Sequence, residues 1–149
     1  MIMTKKNNLS LSRGFTLIEL LVALTVIAVL VALGLNSYQG ARKVARDSKR
    51  KADLEQIRSA LEIYRTDCRT YPASVTPGGK LDGSGICAGN TYMDPVPNDP
   101  ISTYTYGYSS SGANVYALCA SLEVGSPAAA TGCGGGCGAG TCNYKVTNP

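Results

Sequence analysis

Hydrophobic and polar positions divide this chain into stretches of different pattern. "FTLIELLVALTVIAVLVALGL", residues 15–35, is apolar on every face; Glu19 is the one charge in its 21 residues. A helix of about 20 apolar residues spans the ~30 Å hydrocarbon core of a bilayer. A small domain has no core in which to hide a helix that is apolar all round. A cleaved secretory signal fits less well, although Ala32-Leu33-Gly34 offers a small-x-small site. Signal cores run roughly 7–15 residues and do not normally carry a carboxylate. The pattern predicts a retained transmembrane helix over 15–36.

Beyond Leu35 the pattern becomes amphipathic with no intervening proline. Leu54, Ile57, Ala60, Leu61 and Tyr64 recur at helical spacing, with Glu55, Arg58 and Glu62 opposite as a solvated side. The helix is expected to continue through 37–70 and to stop before Tyr71-Pro72, where proline removes a donor and clashes with the preceding turn. Helical throughout Phe15–Arg65, the segment would measure about 77 Å. Gly34 and Gly40 are its weak points, each costing about 1 kcal/mol relative to alanine.

Residues 73–100 are dense in Gly, Pro, Asp and Asn and read as irregular connection with short regular pieces. "STYTYGYSS" then places Tyr104, Tyr106 and Tyr108 on one face. "NVYALCASLE" alternates Val115, Ala117, Cys119 and Ser121 against Tyr116, Leu118, Ala120 and Leu122. The turn residues between them predict an antiparallel hairpin. "NYKVT" is a weaker third strand. The expected class is α+β: a long N-terminal helix packed, through its Leu54/Ile57/Leu61 face, on a small antiparallel sheet in a head over 71–149.

Charge changes the picture locally. The net charge of +4 hides Arg42, Lys43, Arg46, Lys49, Arg50 and Lys51 against Asp47 alone. From Ala52 onward five basic residues meet eight acidic ones. The block has three readings: a solvated face snorkelling to lipid headgroups, pairing with acidic head residues of neighbouring copies, or nucleic-acid binding. The last is disfavoured, because no aromatic residues interleave with the charges.

Candidate chemistry is sparse. There is no His and no Trp, so the commonest general base and metal ligand is missing. Asp94 and Asp99 sit among prolines and read as turn formers. No enzyme, cofactor or metal site is expected. Cys68, Cys87, Cys119, Cys133, Cys137 and Cys142 all follow the apolar run, and an even count in a small exported head predicts disulfides. The C-x3-C-x4-C spacing of the last three matches no common zinc or iron–sulfur pattern. "TGCGGGCGAGTC", half glycine, has little to pack, so crosslinks would substitute for a core there. Cys68–Cys87, clamping the helix end to the loop, is the favoured single pair; the others stay open.

Glu19 needs an explanation. Unpaired at mid-membrane it costs roughly 2.5–3.5 kcal/mol, and the span contains no Lys or Arg. A cut between Gly14 and Phe15 would create a partner, a charged α-amine four residues before Glu19, presented by a neighbouring copy.

"RGFTLIELLVAL", with its basic leader and unbroken apolar run, resembles the N-terminus of prepilins with a class III signal: type IV pilins and the pseudopilins of type II secretion. The later "RDSKRKADLEQIRSALEIYRTDCRTYP" and "PNDPISTYTYGY" resemble the major pseudopilin branch. The resemblance implies a pilin-like fold and a leader over 1–14 removed after Gly14 by a prepilin peptidase. It implies N-methylation of Phe15, and Glu19 as an assembly contact that neutralises the adjacent subunit's amine. The implied partners are further copies in a filament, the peptidase, an inner-membrane assembly platform, and lipid before assembly. The implied place is a single pass in the inner membrane with an extracytoplasmic head, then a filament in the periplasm or at the surface.

Two departures stand out. Asn36 occupies a position often held by proline. The family's secretion branch usually binds calcium through carboxylates in its C-terminal loop, yet no Asp or Glu lies between Val124 and Pro149. No calcium site is therefore assigned. Secretion, adhesion or motility, and DNA uptake all stay open as roles of such a filament. The alternative of another class is a membrane-anchored extracytoplasmic binding module that does not polymerise.

Overall fold

A computed structural model describes residues 14–111, 114–125, 128–134 and 136–149, the side chain of Asn36 excepted. Apart from Gly14, the expected leader lies outside the described residues, as do Gly112 and Ala113 of the expected hairpin turn. By contact the chain forms two units, one up to Gln39 and one from Gly40 onward.

One helix, α1, runs Leu17–Cys68 over 52 residues and contributes to both units. It is continuous through Gly34 and Gly40, where neither position is crowded. It ends at Cys68, two residues short of the expected limit at residue 70. Arg69 takes φ 62°, and its N–H donates to Arg65 O at 2.9 Å, closing the last turn in the left-handed conformation usual at that position. Tyr71-Pro72 then prevents continuation.

The second unit holds two small antiparallel sheets. β1 (Leu81–Asp82) pairs with β2 (Thr91–Met93) across a 3-10 turn at Gly85–Cys87. β3 (Gly107–Ser110), β4 (Tyr116–Ala120) and β5 (Tyr144–Thr147) form a sheet of order β3-β4-β5. Tyr108 lies opposite Leu118, and Leu118 opposite Val146. β3 is shorter than the run "STYTYGYSS" predicts. Tyr104 instead bridges to Gly138, so the start of that run pairs with the glycine-rich segment and not with β4.

Alternation along β4 serves two interiors. Tyr116, Leu118 and Ala120 join Leu54, Ile57, Leu61, Tyr64, Val96 and Val146 in the core between α1 and the sheet. Cys119 points away and packs with Cys133, Cys137 and Cys142, with only Ala130 as an apolar neighbour. The α+β arrangement expected from the sequence is the one observed.

Candidate functional site

In the first unit α1 has no buried face. Phe15 is 79% and Leu17 90% exposed, and every described side chain from 14 to 39 is exposed. The helix is long and apolar enough to cross a membrane by length and composition. Gly14, Phe15 and Thr16 are not helical. Thr16 is the N-cap: its hydroxyl oxygen accepts the Glu19 N–H at 3.3 Å, which places Glu19 at the third helical position. Thr-x-x-Glu is the spacing of a capping box, and a carboxylate in the first turn suits the positive end of the helix dipole. The Thr-x-x-Glu spacing of "TLIE" is the sequence signal for this local role, which the expectation for Glu19 did not include.

In the second unit the basic block is a solvated face only in part: Arg42, Lys43, Lys49 and Lys51 are exposed, and Arg46 is half-buried. Arg50 is fully buried. Its Nε and one terminal nitrogen donate to the two oxygens of Asp99 at 2.7 and 3.0 Å. The other terminal nitrogen donates to Asp47 at 2.8 Å and to Glu123 at 3.0 Å. Arg46 donates bidentately to Glu123, both bonds at 2.6 Å, and Lys49 pairs with Asp53. Asp47 also accepts the backbone N–H groups of Glu123 and Val124. The reading of pairing with acids on neighbouring copies is thus corrected for Arg46, Lys49 and Arg50, whose acids are their own chain's. A buried guanidinium needs all its donors satisfied, and three carboxylates from three segments satisfy it.

These pairs set the local ionisation. The hydrogen bonds from Arg46, then those from Arg50, hold Glu123 down at about 2 against burial. The bond to Asp99 raises the Arg50 guanidinium well above its ordinary value. Asp99, read as a turn former, does that too, accepting the Ile101 N–H at 2.8 Å, but its main partner is Arg50. Asp94 pairs with Lys80 at the surface.

Tyrosine hydroxyls read the polar stripe of α1. Tyr106 donates to Asp53 at 2.7 Å, Tyr116 to Glu62 at 3.0 Å and Tyr92 to Asp67 at 3.1 Å. Tyr71 also donates to Glu62. Glu62, assigned from spacing to the solvated side, is therefore an internal acceptor. Burial first, and then the carboxylate bond, pushes the Tyr106 and Tyr116 phenols up; burial, against a hydrogen bond with Ser110, takes Tyr108 to about 12.

The six cysteines stand as three disulfides. Cys68–Cys87 joins the end of α1 to the 3-10 turn, with Cα atoms 5.1 Å apart. Cys119–Cys133 and Cys137–Cys142 lie together on the far side of the sheet, with Cα separations of 5.7 and 5.3 Å. Among the described residues no group of three or more His, Cys, Asp or Glu is arranged to hold a metal ion.

Comparison with known proteins agrees with this anatomy. The family model described as a prokaryotic N-terminal methylation motif matches residues 9–35, and the model for type II secretion system protein G matches residues 37–132. The type II secretion system core protein G of Pectobacterium carotovorum is 34% identical over 62 residues, 42% of this chain and 40% of that protein. That of Escherichia coli is 34% identical over 62 residues, 42% of this chain and 43% of that protein. The type IV wide pilus major component of Thermus thermophilus is 36% identical over 63 residues, 42% of this chain and 48% of that protein. The chain thus aligns with less than half the length of these curated relatives. No solved structure matches it significantly.

Proposed function

The chain belongs to the type II secretion system protein G family, and on that premise we propose that it is a structural subunit of a type II secretion pseudopilus or a type IV pilus. The family is one of pilin and pseudopilin subunits, not of enzymes. In this reading the chain is exported and cleaved after Gly14 by a prepilin peptidase. It is then methylated at Phe15 and polymerised through the first half of α1 on an inner-membrane platform.

One observation carries the reading: among the described residues, every side chain of the helix over 17–35 is exposed, and that stretch bears a single carboxylate, in its first turn. Lipid covers such a helix before assembly and further copies cover it afterwards. Glu19 then receives the α-amine of the next subunit, because a cation entering an apolar filament core without a counter-charge costs several kcal/mol. The disulfides belong to the same reading, since crosslinks of this kind form outside the cytoplasm.

The test separates insertion from assembly. Glu19→Ala is expected to leave processing and membrane level unchanged and to remove sheared filaments. Glu19→Gln is expected to fail as well, since it keeps shape without charge. Mass spectrometry of wild-type filaments should find methylated Phe15 at the N-terminus. Normal filament yield from Glu19→Ala would overturn the assembly role, and an uncut start in assembled material would overturn the processing. A tethered module that does not polymerise would show neither filaments nor a need for the cut.

A further inference from the structure

The glycine-rich segment is not a slack linker. Ala139 N–H donates to Thr103 O at 2.9 Å, Thr105 N–H to Cys137 O at 3.4 Å, and Ser109 Oγ to Gly132 O at 2.6 Å. Tyr104 and Gly138 form an antiparallel bridge. Residues 132–134 and 136–140 therefore lie along 103–109, the outer strand of the sheet and the run leading into it. The approach is close enough to require glycine. At Gly134, where φ is +65°, a Cβ would collide with Tyr108 O, and at Gly107 it would meet Cys133 O at 2.7 Å.

Among the described residues, Ala130 is the apolar side chain packed on the four half-cystines, and the Tyr104 ring lies against Gly140. The family's usual calcium is not an alternative here. Calcium takes six to eight oxygens, normally including carboxylates, and none follows Glu123. The nearest acids, Asp47, Asp99 and Glu123, are already paired with Arg46 and Arg50. The donor set does not fit the ion.

We propose that the C-terminal strap of this head is ordered by Cys119–Cys133 and Cys137–Cys142 in place of a cation. The head is then indifferent to calcium and opens locally when it is reduced. Opening frees the outer side of 103–109 while the α1–sheet core stays closed: that core also contains Cys68–Cys87, but Leu54, Ile57, Leu61, Tyr64 and Leu118 pack there independently of the crosslink. A freed strand edge is a template for pairing with another chain, so reduction also exposes a surface that the oxidised head hides.

Hydrogen exchange read by mass spectrometry on the full processed chain in detergent tests this, whether or not the chain polymerises. Chelator, or about 5 mM calcium, above the weakest extracellular affinities of such sites, is expected to leave exchange unchanged everywhere. Reductant is expected to raise exchange at 103–109 and 128–143 at least about tenfold while 54–64 stays protected. Cys137→Ser with Cys142→Ser, which spares the longer loop, is expected to give a partial version of the same pattern if the two disulfides act separately. Deprotection by chelator that calcium restores would overturn the proposal. So would full protection of 103–109 and 128–143 after complete reduction, verified by thiol alkylation.

Discussion

β4 has an interior on each of its faces, and the two are built from different chemistry. Toward α1, Tyr116 and Leu118 meet Leu54, Ile57, Leu61 and Tyr64, and burial of large side chains removes water from the interface. Away from α1, Cys119 meets three other half-cystines and one alanine. The first interior gains from contact in the folded state. The second gains mainly by restricting the unfolded chain, which suits a segment whose glycines have nothing to bury. A strand of five residues is thus shared by one core of large side chains, to which Cys68–Cys87 adds a crosslink, and one built almost wholly of half-cystines.

The largest effect is expected at the buried ion-pair cluster around Arg50. Arg50→Ala removes the common partner of Asp47, Asp99 and Glu123; Glu123 keeps Arg46 and Asp47 keeps its backbone donors, but Asp99 is left buried without its counter-charge, at a cost of about 3–5 kcal/mol. Urea unfolding of the full chain in detergent should show both interiors lost in one transition. Somewhat smaller, Leu61→Ala should cost about 2–5 kcal/mol, and it breaks the helix side first. Exchange at 54–64 would then rise with that at the sheet, a pattern opposite to that of the reduced protein. If either variant deprotected only the strap, the division into two interiors would be wrong.

Removing a crosslink tests the other side. Cys119→Ser with Cys133→Ser opens a loop of sequence separation 14, worth about 3 kcal/mol by loop entropy, and the loss should be confined to 103–109 and the strap. The smallest effect is the pH dependence at Glu123. Its folded value, about 2, lies below the ordinary 4.5, so its contribution is complete above about 4.5 and is lost as pH falls toward about 2. The unfolding midpoint of the wild type should therefore drop across that window more steeply than that of Glu123→Gln. Equal slopes would mean that Arg46 and Arg50 do not hold this carboxylate in solution.

Much of this was legible in the chain because periodicity reports burial directly. The apolar run, the Leu54-Ile57-Leu61 stripe and the alternation through Tyr116 and Leu118 gave α1, its packing face and the two better strands. What stayed hidden has physical reasons. Glycines carry no side-chain pattern, so the strap along 103–109 could not be seen, and β3 was overextended. Arg50 and Asp99 are 49 residues apart, and no local rule says that a guanidinium in a basic run will be buried against three acids. Among the candidate residues, Thr16 was the nearest miss: its spacing to Glu19 spells a cap, but the same glutamate had already been given another role.

That cap has a consequence for how the chain is handled by a protease. Peptidases take their substrates as open, extended backbone and cannot work on a bond locked into a helical hydrogen-bond ladder. Here the ladder starts at Leu17, and the hydroxyl that closes its first turn comes from Thr16, so the Gly14–Phe15 bond lies outside it and Gly14 has open space around it. Severing that bond takes away neither the cap nor any turn of α1. The helix would begin at the same residue before and after the cut. What the cut would change at Phe15 is its amide nitrogen, which would become a charged α-amine just ahead of the first turn.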